Sequence, residues 1–384
     1  MAGGVDNGGA SGVCTAGAGR GSQCRRFGIH PDTGYKWLAR WSGGDHALDD
    51  RSRRPLRSPG RSSAEEEARV VAVRQAHPAW GARKIVAALA REGITAPAAS
   101  TVHAILARRG LVTPPPGGEP ASLRFEKTAP NLLWQMDFKG WIRLLDGQRC
   151  HPLTVIDDHS RYCPALEACA DERGATVRSR LEPIFRRHGL PDAMFVDNGG
   201  PWGDSQGSKW TQLRVWLAKL GVALIHARPY HPQSRGKNER FHRTLKAEVF
   251  ALRRFNSLAE TQRALDAWRE LYNFERPHEA IGMRTPASRY RPSPRPMPDR
   301  LPEVTYDAGE IVRRVLTTKD YLAFKGKLWK MPSALRGEPL AIRPLSRDGT
   351  YGVSFAANPV AIIDLTDPKP VGHVPERPSA MSPV

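Results

Sequence analysis

The stretch from residue 132 to 274 changes periodicity in an order that few architectures accept. LWQMDFKGWIRLL, RCHPLTVIDDHSR and YCPALEA read as three strands, with a hairpin turn near Asp146 and Gly147. A helix over 175–188 follows, with Val177, Leu181, Ile184 and Phe185 as its apolar stripe. The short strand AMFVD ends at Asp197, and a polar, Gly-rich loop covers 198–207. A helix over 210–220 leads into a strand over 222–227, and two helices over 234–252 and 257–274 close the run. The order mixes an antiparallel start with a parallel finish, which predicts an α/β core.

Helical and β segments flank this core. CRRFGIHPDTGYKWLARW, residues 24–41, reads as the last two helices of a helix-turn-helix, with Phe27-Gly28-Ile29 as the turn and Pro31 opening the second helix. Tyr35, Leu38 and Trp41 are expected to face its core, leaving Thr33, Lys36 and Arg40 for DNA. A generic helical hairpin is the alternative. Residues 51–62, RSRRPLRSPGRS, form a basic linker in which Arg53 and Arg54 could follow a phosphate backbone. Residues 63–112 read as a second three-helix unit that opens with a Ser63/Glu66 capping box. A Pro-Gly run at 114–118 breaks the chain. Beyond a Pro-rich linker at 291–303, several short strands over 304–366 predict a small β-barrel. Residues 1–22 hold eight glycines and are expected to be disordered, and 367–384 read as a loose tail. The Gly-rich start does not resemble a first helix, so the first DNA-binding unit is expected to be incomplete.

Charge points to a long anionic partner. Lys and Arg number 58 against 39 Asp and Glu, a formal charge of +19. The excess holds in each part: 17 to 10 over 1–120, 27 to 19 over 121–290 and 14 to 10 over 291–384. A single basic tail would not give that distribution. There is no run of about 18 apolar residues, so no membrane span is expected, and residues 1–22 lack the apolar region of a signal peptide. Five cysteines without a CxxC pair argue against a disulfide framework and a zinc site. The expected compartment is the cytoplasm, with association to the nucleoid.

Three carboxylates stand out. Asp137 interrupts an apolar strand, where a carboxylate is costly unless a partner such as a cation meets it. Asp197 ends a strand, and Glu239 lies on the helix of GKNERFHRTLK. Phe241, Leu245 and Val249 form the buried stripe of that helix, so Glu239 lies nearly opposite them. Lys246, seven residues on, shares its face, and Arg243 is near; with Lys237, which precedes Glu239 in the same motif, these are the expected DNA contacts. A surface salt-bridge row is the plain alternative. The functional one is phosphodiester chemistry, in which two magnesium ions about 3.5–4 Å apart activate the nucleophile and hold the leaving oxygen. Carboxylate and water ligands suit magnesium. Asp157 and Asp158, which also follow a strand, read as a strand-end turn.

LWQMDF, LTVIDDHSR, FVDNGGPWG, HPQSRGKNERFHRTLK and YNFERPHEAIGMRTPASRY together resemble the integrase-type DDE transposases of bacterial insertion sequences. The resemblance covers roughly 24–366 and is best over 132–290. It implies a ribonuclease H-like core at 125–290, flanked by N-terminal all-α helix-turn-helix units at 23–50 and 63–112 and by the C-terminal barrel. It implies that Asp137, Asp197 and Glu239 are the catalytic, metal-holding acids and that Lys246 helps hold the transposon end. The implied activity is magnesium-dependent hydrolysis at transposon ends (manganese as a substitute), then attack of the freed 3′-hydroxyl on target DNA. The implied partners are double-stranded DNA, as terminal inverted repeats and target, and further copies of the chain. Gly199 and Gly200 are expected to let the active-site loop approach DNA. Arg276, Pro277 and His278 are expected to pack the last helix on the core. The 41 residues between Asp197 and Glu239 exceed the spacing of retroviral-type relatives, and the extra length falls in a loop. A DNA-binding repressor derived from a transposase, and a nuclease without strand transfer, are the competing functions.

Overall fold

The computed structural model describes residues 24–41, 62–112, 126–203, 209–227 and 236–366. The Gly-rich segment 1–22, linker residues 51–61 with Arg53 and Arg54, the break at 114–118, the loop 228–235 and the tail 367–384 lie outside the described residues. The chain divides into two compact units, Met1–Ser62 and Ser63–Val384.

In the first unit, helix α1 (Pro31–Trp41) starts at its proline. Gly28 takes the turn before it at φ +63°. Gly34 is the packing point: it is buried against the Cys24 sulfur, where any Cβ would collide. Tyr35 and Trp41 do not face a core as their spacing predicts. They are 53% and 39% exposed, because the close approach at Gly34 sets which side of α1 turns inward. Lys36 is exposed, and the Arg40 guanidinium lies 4.9 Å over the Trp37 ring.

The second unit opens with α2 (Ala64–Ala76), α3 (Ala82–Arg91) and α4 (Ala99–Arg108). The Ser63/Glu66 capping box forms in both directions, at 3.1 and 2.8 Å. Val70, Trp80, Ile85, Leu89, Val102, Ile105 and Leu106 make the shared core.

A six-stranded mixed sheet follows. Its strands are β1 (Trp134–Phe138), β2 (Ile142–Arg143), β3 (Arg149–Asp157), β4 (Ala165–Cys169), β5 (Ala193–Val196) and β6 (Ala223–His226). Their order is β2-β3-β1-β5-β6, with β4 also paired to β3. β1 is antiparallel to β3 and parallel to β5, and β5 is parallel to β6. Side chains alternate between faces. Trp134, Met136, Leu153, Val155, Met194 and Val196 pack on one face against α5 (Gly174–His188) and α6 (Gln212–Lys219). Ile156 and Leu166 pack on the other against α7 (Gly236–Leu245) and α8 (Leu258–Glu270), through Phe241, Leu245, Leu265 and Trp268. Each helix ends in a π-helical turn, Lys246–Phe250 and Leu271–Glu275.

The C-terminal strands do not close into the expected barrel. β7 (Ile311–Arg314), β10 (Pro339–Pro344), β11 (Thr350–Phe355) and β12 (Asn358–Asp364) form an open sheet of order β12-β11-β10-β7. β8 (Tyr321–Phe324) and β9 (Lys327–Lys330) form a separate hairpin. The reason lies upstream. Trp210, Val215 and Ala218, at and within α6, join the same apolar cluster as Leu340, Ile342, Val353 and Phe355. Lys219 pairs with Glu338 at 2.6 Å beside that contact. A helix of the core thus covers the inner face that a closed barrel would cover with its own strands.

Candidate active site

The pairing of β1 with β5 aligns two of the three acids. Trp134 stands opposite Met194, and Gln135 opposite Phe195. Carried on at the same offset, the register sets Asp137 level with Asp197. Trp134 and Met136 face the α5/α6 layer, as do Met194 and Val196. Strand alternation therefore puts Asp137 and Asp197 on the opposite face, the side that α7 covers. Both are half-buried.

Asp197 is held by its neighbours. Its Oδ1 accepts the Gly199 N–H at 2.9 Å. A Cβ on Gly199 would stand 3.4 Å from that oxygen, an ordinary contact, so the turn itself does not demand glycine. The His226 ring Nδ1–H donates to the Asp197 carbonyl at 3.0 Å, and Asn198 Nδ2 donates to the Ala227 carbonyl at 2.9 Å. The end of β6 thus fixes the backbone that carries the acid.

Asp137 is linked to α7 through Thr154, its cross-strand partner on β3. Thr154 Oγ1 donates to the Asp137 carbonyl at 2.9 Å. The hydroxyl has one proton, so its 2.8 Å contact to His242 Nε2 makes the imidazole the donor there. Burial, reinforced by the Lys139 charge, pushes His242 down to about 4, so the ring is neutral at pH 7. Glu239, His242 and Lys246 are at i, i+3 and i+7 and lie on one flank of the helix. The bond to Thr154 therefore fastens the flank that carries Glu239 to the strand that carries Asp137. Glu239, Arg243 and Lys246 are themselves exposed.

Among the described residues, no three His, Cys, Asp or Glu groups stand close enough to hold a metal ion. The site consists of two aspartates level on the sheet and a glutamate on the adjoining helix. The oxygen-only donor set has the chemistry that a hard divalent cation prefers.

Other residues of the motifs have structural duties. Asp157 accepts the Ser160 and Asn131 amides at 2.7 and 2.8 Å, a strand-end turn as its position suggests. Asp158 is fully buried and accepts from Gln135 Nε2 and the Lys127 amide, each at 2.8 Å. Lys237 turns inward onto Asp158, and burial pushes its ammonium down to about 8. Arg276 packs as expected: it is buried and pairs with Glu248 at 2.9 Å, while Trp268 Nε1 donates to the same carboxylate. His278 is pushed down to about 3, first by burial and then by Arg276. His242, Thr154 and His226 escaped the sequence reading. The one available signal was that His242 lies one helical turn beyond Glu239.

The model for the integrase core domain matches residues 127–232, and a second integrase core model matches 220–286. A homeodomain-like domain model matches 33–106. An insertion element IS407 protein of Burkholderia multivorans is 29% identical over 161 residues, 41% of this chain and 55% of that protein. An insertion element IS476 protein of Xanthomonas euvesicatoria is 30% identical over 172 residues, 45% of this chain and 47% of that protein. The chain spans about half the length of the curated relatives it matches. A chain of a simian T-cell lymphotropic virus intasome aligns with a TM-score of 0.37 and 16% identity, covering 78% of this chain and 100% of that one. Residues 127–286 thus match integrase core domains, and the relatives above are proteins of bacterial insertion elements. The C-terminal part of the chain, residues 310–370, matches the IS481 family transposase C-terminal domain.

Proposed function

We propose that the protein is a DNA transposase that hydrolyses the phosphodiester bonds at transposon ends and then joins the freed 3′-hydroxyl to target DNA. The observation that carries this reading is the level pair Asp137 and Asp197, with the Glu239 flank of α7 tied to the same strand through Thr154 and His242. Asp137, Asp197 and Glu239 are the catalytic acids and hold magnesium, with manganese as a substitute. When bound, the metal activates the attacking oxygen and stabilises the leaving one. Lys246 and Arg243, exposed beside Glu239, take backbone phosphates. Lys36 and Arg40 on α1, with Arg53 and Arg54 of the linker, hold the terminal repeats. Phosphate contacts of this kind set position, and base contacts set sequence.

In this reading the domains run as a helix-turn-helix at 23–50, a linker at 51–62, a second helical unit at 63–112, the catalytic core at 125–290 and the C-terminal sheet at 304–366. Two DNA ends must be held together, so the working form is a homo-oligomer. The site of action is chromosomal DNA in the cytoplasm. Among the described residues, no helix is long and apolar enough to cross a membrane. The test incubates the protein and magnesium with a duplex that ends in the element's own repeat, beside Asp137→Asn. Joined products that vanish in the variant support the reading. Binding without joining would favour a DNA-binding repressor.

A further inference from the structure

The strand that carries Asp137 leaves the sheet through a bulge. Asp137 and Phe138 pair with Thr154 and Leu153, and the Lys139 amide donates to the Pro152 carbonyl at 3.0 Å. Pairing resumes with Ile142 opposite Cys150 and Arg143 opposite Arg149. The β1–β2 side therefore carries one residue more than β3 across this gap. Gly140 absorbs it at φ +86°, a conformation that other residues rarely adopt.

Two features flank the bulge. Before it, Lys139 Nζ lies 5.3 Å from the centre of the Phe250 ring, at the end of the π-helical turn that Lys246 begins. Lys139 therefore packs against the turn whose first residue, Lys246, is exposed. Among the described residues, neither lysine pairs with a carboxylate. After the bulge, Trp141 stays 52% exposed, and the Arg149 guanidinium stacks 4.4 Å from its ring centre. The guanidinium holds the indole in place at the surface, where its ring can stack on a planar group.

Resting on the transposase reading, we propose that this bulge is a DNA subsite next to the acids. Lys139 and Lys246 take one backbone phosphate between them, and Trp141 with Arg149 stacks on a base that has left the duplex. The ligand chemistry is DNA with an unpaired end. A phosphate beside two ammonium groups is attracted by both charges. An aromatic face accepts any base, so the platform is indifferent to sequence. The glycine bend sets the platform a few residues beyond Asp137, where a strand running past the acids would splay.

The test uses the full chain as Asp137→Asn, so that binding is read without turnover. Fluorescence anisotropy compares a blunt duplex with the same duplex carrying one frayed end. Trp141→Ala is expected to weaken binding to the frayed duplex by roughly tenfold and to leave the blunt one unchanged. Trp141→Phe keeps a ring and is expected to retain the preference. Lys139→Gln is expected to lower the salt slope by about one on both DNAs. Equal effects of Trp141→Ala on the two duplexes, or an unchanged slope for Lys139→Gln, would overturn the subsite. Joining by the unsubstituted chain in parallel separates the two claims. Joining with no frayed-end preference sinks the subsite alone, whereas no joining under any condition sinks the transposase reading.

Discussion

The three-helix unit over Ala64–Arg108 and the Asp137 edge of the sheet are both rich in cations, but they use them differently. In the helical unit, Lys84 pairs with Glu279 at 3.0 Å. Arg108 and Arg109 both reach the buried Glu67, at 2.6 and 3.3 Å, and Arg91 donates to the Glu275 carbonyl. At the Asp137 edge, Lys139 packs on the Phe250 ring and Lys246 is exposed, and among the described residues neither pairs with a carboxylate. The first set holds the chain to itself, and the second is left for a ligand. A net charge of +19 therefore overstates the cations available to DNA, and the location of the uncompensated ones tells more than their number.

The sharpest way to break that contrast is to remove the acids of the proposed site. Asp137→Asn and Asp197→Asn are each expected to reduce joining to background while DNA binding persists, because an amide keeps the shape and loses the charge a cation needs. Gel assays of cleavage and joining read this directly, and chelation of magnesium should reproduce it. Wild-type joining by either variant would separate the level aspartates from the chemistry.

A smaller effect is expected at the Thr154–His242 bridge. Losing one hydrogen bond to a buried partner costs ~1–3 kcal/mol, so Thr154→Val should slow joining about tenfold. Thr154→Ser, which retains the hydroxyl, should restore most of it. Because the bridge orients the Glu239 flank, the loss should fall in kcat and in the magnesium concentration needed, with KM for DNA little changed. Equal rates for the Val and Ser variants would make the bridge merely structural.

Salt dependence then compares the two regions directly. Lys246→Gln should lower the slope of log affinity against log salt by about one. Lys84→Gln should leave that slope unchanged and cost at most ~1 kcal/mol of stability in thermal or denaturant unfolding, since its pair is partly exposed. Equal slopes for both variants would erase the distinction between self-directed and ligand-directed cations.

Much of the site was legible because it depends on local pattern. Alternation along WQMDF identifies Asp137 as an intruder in a strand, and the stripe of Phe241, Leu245 and Val249 fixes where Glu239 points. The capping box at Ser63 needs residues only three apart. What escaped depends on distant partners. Lys237 reads as a DNA contact until β3 brings Asp158 beneath it, 79 residues earlier in the chain. The barrel reads as closed until Trp210 and Val215 cover its inner face from the core. Tyr35 and Trp41 read as core because periodicity does not show that Gly34 sets the contact. The level register of Asp137 and Asp197 likewise belongs to the pairing of two strands, which neither strand encodes alone.

The smallest expected effect concerns acid. His242 and His188 are each pushed down to about 4, chiefly by burial, from an ordinary value of 6.5. Between pH 6.5 and about 4 the unfolded chain binds protons at these rings that the folded chain refuses. Stability is therefore full above pH 6.5 and falls as the pH drops through that window. The two rings sit in different settings: His188 meets Tyr162 and Tyr290 edge-on in the body of the fold, whereas His242 belongs to the bridge at the acids. His242→Gln keeps a donor for Thr154 and removes the titration. It should flatten part of the acid limb in thermal melts from pH 7 to 4 while leaving the His188 share in place. An acid limb unchanged by His242→Gln would mean that the ring already takes up its proton in the folded chain, and the neutral donor assigned to the bridge would be wrong.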